Sequence, residues 1–221
     1  MVGARSAVGK NMSSHNQEMR AEDAPSLWSR YDRGFVSIVF FSIPYMPNHV
    51  SNRLILQCSK AKATKVMAAI GGHYDDGTPM LIDFNKLIPY PEQFAKLDRE
   101  ANEWEKAHPA NPWTGRPKDG FNQGGYEWRC ENWGTKWNAY DQKRLSPISI
   151  YFQTAWSAPE PVMDALAAKF PDVSFMLEYA DEDIGHNAGI IRYAKGEKNH
   201  SQLEEAEAVR LYSDINADPK E

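Results

Sequence analysis

The order of strand and helix patterns from Val50 onward is the feature that most constrains the fold. Apolar, β-rich runs predict strands at 50–57, 148–156, 173–180 and 188–194. Apolar residues at helical spacing predict helices that follow Ser59 and Ser157, and Ser157 with Glu160 has the spacing of a capping box. A further strand is predicted at 126–131, where Tyr126, Trp128 and Cys130 alternate with charged residues.

This order is β-α-β-β-α-β with one additional strand, the split-βαβ or ferredoxin-like arrangement. We therefore expect an α+β fold in which two helices lie on one face of an antiparallel sheet. The name describes topology only, because the two cysteines of the chain, Cys58 and Cys130, cannot supply the four thiolate ligands of an iron–sulfur cluster.

An insertion interrupts this order at about 74–125, inside a single predicted domain that spans 46–196. Pro91 opens a helix that runs to about Ala107 with its apolar residues in one stripe. The segment 108–125 is rich in Pro, Gly and Asn. Loops of this length without secondary structure are usually functional or disordered.

The two ends of the chain differ from this domain. Residues 1–45 join a polar, aperiodic stretch, typical of disorder, to the apolar stripe Phe35–Phe41. Two interpretations stay open: a start assigned too early, with Met46 as the true initiator, or an extra edge strand or membrane-touching arm. The stripe is far shorter than the roughly 20 residues of a spanning helix. Residues 197–221 are predicted to form an acidic tail, either a short surface helix around 203–211 or disordered.

The charge of the chain argues against a surface for duplex DNA or RNA. Its 221 residues carry a formal net charge of -5, and from Met46 onward 20 Lys and Arg stand against 26 Asp and Glu. Nucleic-acid surfaces typically concentrate positive charge. The two cysteines are expected to be reduced thiols of a cytoplasmic protein.

Four segments resemble landmarks of the YubB-like proteins, a family of phage and plasmid proteins: 46–54, 84–92, 131–137 and 154–161. The resemblance runs from Met46 to about Arg192, and this extent favours the later start. It implies a ferredoxin-like domain, a prophage or conjugative plasmid as the source, and the cytoplasm of a bacterial host cell as the location. It implies no catalytic residues.

Catalytic and metal sites have weak support in the sequence. Nucleophilic catalysis needs a base within hydrogen-bond reach of the nucleophile, and sequence spacing does not show such a contact. The acidic candidates for a metal lie in turns and match neither calcium nor zinc spacing. We therefore predict no catalytic, metal or cofactor-binding residues and no cofactor. The candidates weighed are Cys130 with His49 or His186 and Glu131 or Asp183; His73, Asp75 and Asp76; and Asp181, Asp183 and His186.

Single-stranded nucleic-acid binding is the alternative function. Exposed aromatic residues on a ferredoxin-like sheet can stack bases. The net charge and the missing glycine–aromatic signature argue against it, and Trp128 and Tyr151 are interpreted as core residues. The candidates are Tyr126, Trp128, Tyr151 and Trp156, with Arg129, Lys136, Lys143 and Arg144 nearby.

A non-catalytic protein-binding module is the favoured function, with a host or defence protein as the partner and no membrane. Protein interfaces concentrate Trp, Tyr and Arg as anchors. The long loop carries Trp113, and the segment 132–137 is interpreted as a turn rich in tryptophan. The predicted interaction surface consists of Trp113, Asn132, Trp133, Gly134, Lys136 and Trp137.

Overall fold

A computed structural model describes residues 48–74 and 76–217 of the chain. The expectations for residues 1–45, including the early start and the arm built on Phe35–Phe41, therefore lie outside the described residues. None of the helices in the described ranges combines the length and the apolar character that crossing a bilayer requires.

The described residues contain eight strands and five α-helices. In chain order they are β1 His49–Gln57, α1 Lys60–Ile70, β2 Gly72–His73, β3 Pro79–Met80, α2 Glu92–Ala107, α3 Gly125–Asn132, β4 Tyr140–Ser146, β5 Ser149–Ala155, α4 Glu160–Lys169, β6 Ser174–Asp181, β7 Ala188–Ala194, β8 Glu197–Gln202 and α5 Glu205–Asn216. Single turns of 3₁₀-helix lie at Phe84–Lys86 and Phe121–Gln123.

The main sheet confirms the predicted ferredoxin-like topology. Its strand order is β4-β5-β1-β6-β7-β8, and every neighbouring pair is antiparallel. Strands β1, β4, β5 and β6, with helices α1 and α4, form the β-α-β-β-α-β unit. The hairpins that add β7 and β8 extend this unit at the β6 edge.

Helices α1 and α4 cover one face of the sheet, as predicted. Leu54 and Leu56 of β1 alternate with Arg53 and Ile55, so the two apolar side chains point into the main core. They pack there with residues of both helices and of β5 and β6: Ala63, Val66, Met67, Ile70, Val162, Met163, Leu166, Ile150, Phe152, Phe175 and Leu177. The alternation along each strand therefore assigns one face to this core.

Helix α4 does not begin with the predicted capping box. It begins at Glu160 after Pro159, and no side chain caps it. The Ser157 hydroxyl instead donates a hydrogen bond to the carbonyl oxygen of Gly134. By contrast, the predicted cap of α1 is present, because the Ser59 side chain accepts a hydrogen bond from the Lys62 amide.

The segment predicted as an acidic tail belongs to the folded domain. Strand β8 pairs with β7 along its whole length, from Gly189 opposite Gln202 to Ala194 opposite Glu197. Helix α5 then packs on the second face of the sheet, where Ala208 and Ile215 bury against Ala180 and Ala188. Of the two alternatives for this segment, the short helix is present, as α5. Strand β8 was not predicted, because most of its residues face solvent and it has no apolar alternation.

The prediction of a strand at 126–131 is wrong, because these residues form helix α3. Gly124, with φ of +106°, precedes the helix, and an added Cβ at Gly125 would lie 2.0 Å from the Tyr90 hydroxyl. The helix therefore packs so closely on the insertion that a side chain larger than hydrogen has no room there. The second strand of the ferredoxin-like unit is instead β4, which runs along the outer edge of β5.

Candidate interaction surface

The predicted turn at 132–137 begins in the protein core. Trp133 is only 1% exposed, and its indole packs edge-on against Phe84 and Trp128, with ring centroids 5.8 and 5.6 Å away. Its Nε1 donates a hydrogen bond to the carbonyl oxygen of Ile88 over 2.8 Å. The prediction that Trp133 forms part of the interaction surface is therefore wrong, because the insertion covers its ring.

Asn132 and Gly134 shape the turn rather than present a surface. The Asn132 side chain donates a hydrogen bond from Nδ2 to the Trp128 carbonyl oxygen at 2.8 Å, at the C-terminal end of α3. Gly134 has φ of +76°, and an added Cβ would lie 2.7 Å from Pro161 Cδ. Only glycine combines this backbone conformation with this approach to α4.

Thr135 fastens the turn to the end of β5. Its hydroxyl donates to the carbonyl oxygen of Ala155 over 2.8 Å and accepts from the Ala155 amide at 3.1 Å. The hydrogen bond between Ser157 and Gly134 closes a second link between the same two segments. These links hold the turn beside Trp156, the residue that follows β5.

Lys136 lies between two tryptophans. Its Nζ is 4.8 Å from the ring centre of Trp137 and 4.7 Å from that of Trp156, within the range of cation–π attraction. Trp156 is 36% exposed and contacts Tyr126 edge-on, with ring centroids 6.0 Å apart. The exposed part of the turn is thus an ammonium group flanked by two indoles.

The backbone of Trp156 adopts an unusual conformation that directs its ring to this place. Its φ is +73°, a value that is rare for a bulky residue. The Trp156 amide donates to the Asn48 carbonyl oxygen over 2.9 Å, and the Asn187 side chain donates to the Trp156 carbonyl oxygen over 3.0 Å. Two neighbouring segments therefore maintain the conformation.

A groove of about 670 Å³ separates Trp137 from Trp113. Trp113, in the loop after α2, is 73% exposed, and Arg116 packs over its ring at 5.6 Å. Tyr90 and Arg129 lie in the groove and also line an adjoining cavity of about 520 Å³, which Trp137 shares. Trp137 and Trp113 thus line the same depression.

The guanidinium groups of the groove are neutralised from within the protein. Arg116 pairs with Glu105 and Asp119, each at 2.5 Å. Burial opposes ionisation of Asp119, but hydrogen bonds from Arg116 and Asn122 outweigh it and hold the pKa of Asp119 below its ordinary value. The groove therefore offers aromatic rings and paired charges rather than a strong positive potential.

Arg129 joins the groove to the core of the insertion. It pairs with Asp98 at 3.3 Å and lies over the Tyr90 ring at 4.2 Å. Burial raises the pKa of the Tyr90 phenol to about 12, and the opposing effect of Arg129 is smaller. Tyr90 is thus a neutral packing surface over the physiological pH range.

The structure does not assemble the catalytic candidates. Cys130 lies on α3 beside the Tyr126 phenol, and His49 Nδ1 contacts the Tyr140 hydroxyl at 2.6 Å. Asp181 accepts hydrogen bonds from Asn187 and from the Asp183 amide, both at 2.9 Å. Within residues 48–74 and 76–217, no group of three or more His, Cys, Asp or Glu side chains could hold a metal ion. One candidate, Asp75, lies outside these ranges.

The aromatic residues proposed for base stacking do not share one face of the sheet. Tyr126 and Trp128 lie on α3, and Trp128 packs against the main core as interpreted. Tyr151 lies on the opposite face, where its hydroxyl is 3.2 Å from Ser51 Oγ and 3.3 Å from Asn216 of α5. Helix α5 thus partly covers the face that would bind nucleic acid.

Trp156 is the member of the surface that the protein-binding interpretation did not include. The sequence places it at the end of a strong strand, where alternation alone cannot tell the core from the surface. Its positive φ decides the direction of the ring. The sequence pattern does not predict a positive φ at Trp156, because bulky residues rarely adopt this conformation.

The fold and this surface together define a ferredoxin-like domain with a helical insertion and an aromatic groove. Residues 132–216 match the family model described as the ferredoxin-like domain in Api92-like protein. The matched part covers less than half of the chain and extends from the turn through α5. It therefore includes the C-terminal strand and helix that the sequence interpretation placed outside the domain.

Other comparisons add little to this match. None of the curated proteins matches the chain significantly. A crystal structure of the protein api92 from Yersinia pseudotuberculosis is similar at 11% sequence identity and a TM-score of 0.36. The similarity covers 71% of this chain and 99% of that one.

Proposed function

We propose that this protein is a non-catalytic protein-binding module whose groove between Trp113 and Trp137 receives a segment of a partner protein. The observation that carries the proposal is the 73% exposure of Trp113 across the groove from Trp137. Large indoles left in water at a concave site are typical of the anchors of protein interfaces.

The way the groove is built supports this function. Trp133 is buried beneath the turn that carries Trp137, and Thr135 ties that turn to β5. A binding surface that is ordered before association loses less conformational entropy when the partner binds. The paired charges of Arg116 and Arg129 leave a groove suited to a polypeptide with apolar side chains.

A second part of the proposal concerns the cellular setting in which the protein binds its partner. The four segments that resemble YubB-like proteins suggest an accessory protein of a phage or plasmid that acts inside the bacterial host cell. In that setting, the partner is a host or defence protein. This part of the proposal rests on the sequence resemblance, whereas the groove rests on the geometry.

Site-specific photo-cross-linking in bacterial cells tests the groove. A photoreactive amino acid at Asn102, an exposed residue of α2 that lines the groove, should capture a defined partner while both tryptophans stay in place. The same amino acid at Ile184, which is 51% exposed, serves as the matched control. Trp137→Ala should abolish capture from position 102 without lowering the melting temperature by more than a few degrees. Equal capture from positions 102 and 184 would remove the groove from consideration.

Single-stranded nucleic-acid binding remains the second candidate. The observation in its favour is the Lys136 ammonium between two indoles, since base stacking on aromatic rings beside a cation is the usual mode of such binding. Filter binding of single-stranded DNA and RNA over a salt series distinguishes the two functions. Binding that weakens steeply with salt favours nucleic acid, and no binding favours the protein partner.

A further inference from the structure

Lys136 differs from the other partly buried cations of the described residues. Four such side chains, namely Arg53, Lys62, Arg116 and Arg129, each form an ion pair with a carboxylate. Lys136 is also partly buried, but its described contacts are the rings of Trp137 and Trp156. None of the ion pairs within the described ranges includes it. Among the described residues, Lys136 is thus a positioned positive charge without a carboxylate partner.

We infer that Lys136 is the specificity-determining residue of the surface and binds an Asp or Glu side chain of the partner segment. This inference rests on the proposed function and names the chemistry of the partner: a polypeptide segment with a carboxylate flanked by apolar side chains. The carboxylate pairs with the ammonium, and the apolar neighbours contact the two indoles.

The surroundings of Lys136 strengthen such a pair. The rings of Trp137 and Trp156 limit the directions in which the flexible lysine side chain can move. They also exclude part of the water that would screen the charge, and attraction between opposite charges grows as the local dielectric falls. The carboxylate therefore meets a cation that is already ordered and partly desolvated.

Trp156 provides independent support. A bulky residue at φ of +73° is strained, and two hydrogen bonds from neighbouring segments maintain it. Strained conformations of this kind concentrate at binding sites. In this conformation the Trp156 indole lies against Lys136. It forms one half of the aromatic pair that orients the ammonium.

The charge balance of the protein favours a single carboxylate over a polyanion. From Met46 onward, 26 acidic residues stand against 20 basic ones. A nucleic acid would bring a long row of phosphates towards this acidic protein, with repulsion that grows with its length. One Asp or Glu side chain needs only the local positive charge of Lys136.

Selection of random 12-residue peptides displayed on phage particles tests the inference. Selection on the full-length protein should enrich peptides with Asp or Glu beside aromatic or aliphatic residues. A selected peptide, labelled with a fluorophore, should bind Lys136→Gln about tenfold more weakly by fluorescence polarisation, since this corresponds to about 1.4 kcal/mol. Lys136→Arg should retain binding, and Lys118→Gln, an exposed lysine, is the matched control.

The possible outcomes separate this inference from the proposed function. If Lys136→Gln binds the selected peptides normally and Trp113→Ala does not, the inference is overturned and the groove stands. If selection yields no peptide, both fail. If the protein binds a 20-nucleotide thymidine strand and Lys136→Gln lowers that affinity instead, the ligand is nucleic acid and the inference is also overturned. Unchanged melting temperatures of the variants exclude unfolding as the cause.

Discussion

The Trp133 indole donates a hydrogen bond from Nε1 to the carbonyl oxygen of Ile88 over 2.8 Å, and this contact joins the turn after α3 to the segment that precedes α2. Because the ring is buried, Trp133→Ala should destabilise the protein by about 3–5 kcal/mol. Urea unfolding followed by circular dichroism measures the loss. Trp113→Ala is the control and should change stability by less than about 0.5 kcal/mol; equal losses in the two variants would contradict the assignment of core and surface.

Gly134→Ala should destabilise the protein more than Gly77→Ala. Both glycines have positive φ, +76° and +85°, so both variants acquire strain of about 1–2 kcal/mol. An added Cβ at Gly134 also lies 2.7 Å from Pro161, whereas nothing lies within 4 Å at Gly77. Thermal unfolding should show the larger drop in melting temperature for Gly134→Ala. Similar drops would mean that the turn does not press against α4.

Arg53 holds α5 on the sheet through two carboxylates. It pairs with Glu178 of β6 at 2.6 Å and with Asp214 of α5 at 2.5 Å. Arg53→Met leaves the buried Glu178 carboxylate without its partner and should cost about 3 kcal/mol in urea unfolding. Asp214→Asn removes only an exposed carboxylate, and its cost should stay below about 1 kcal/mol. A larger effect for Asp214→Asn would reverse this order of importance.

Stability should fall at alkaline pH because several phenols are buried. Burial is the main cause that raises the pKa of Tyr90, to about 12, and of Tyr140, Tyr179 and Tyr193. Unfolded tyrosines ionise near pH 10, so the stabilising contribution is complete below pH 10 and is lost as the pH rises through the folded-state values.

Urea midpoints between pH 8 and 11.5, with tyrosinate absorbance at 295 nm, measure this loss. Tyr193→Phe should make the decline between pH 10 and 11.5 shallower, because it removes one of the shifted phenols. The variant also loses the hydrogen bond from the Tyr193 hydroxyl to Asp164 at 2.6 Å, so its stability at pH 8 should already be lower. A stability that is constant to pH 11.5 would show that these phenols ionise equally in both states.

The strands that lie in the middle of the sheet were predictable, and those at its edges were not. β1, β5 and β6 bury one whole face, so their apolar patterns stand out in the sequence. β4, Tyr140–Ser146, is mostly polar and contains a register shift after Tyr140. Its Gln142 side chain accepts hydrogen bonds from the Leu81 and Ile82 amides at 2.7 and 2.9 Å, a long-range contact that no local pattern reveals.

Helix α3 shows why short aromatic segments mislead. Tyr126, Trp128 and Cys130 alternate with charged residues as in a strand, but eight residues are too few to distinguish the two periods. The close approach of Gly125 to Tyr90 and the packing of Trp128 on Trp133 decide for the helix. Both partners come from outside the segment, and tertiary contacts overrode the strand pattern.

The sequence by itself determined the order of the central strands and helices, because alternation and helical spacing record which side chains face the core. It also identified Trp113, Lys136 and Trp137 as candidates for a surface. Only the tertiary structure buried Trp133, brought Trp156 to Lys136 and placed α5 on the open face of the sheet. The physical reason is that exposure and backbone strain depend on segments far apart in the chain, and these meet only when the whole domain packs.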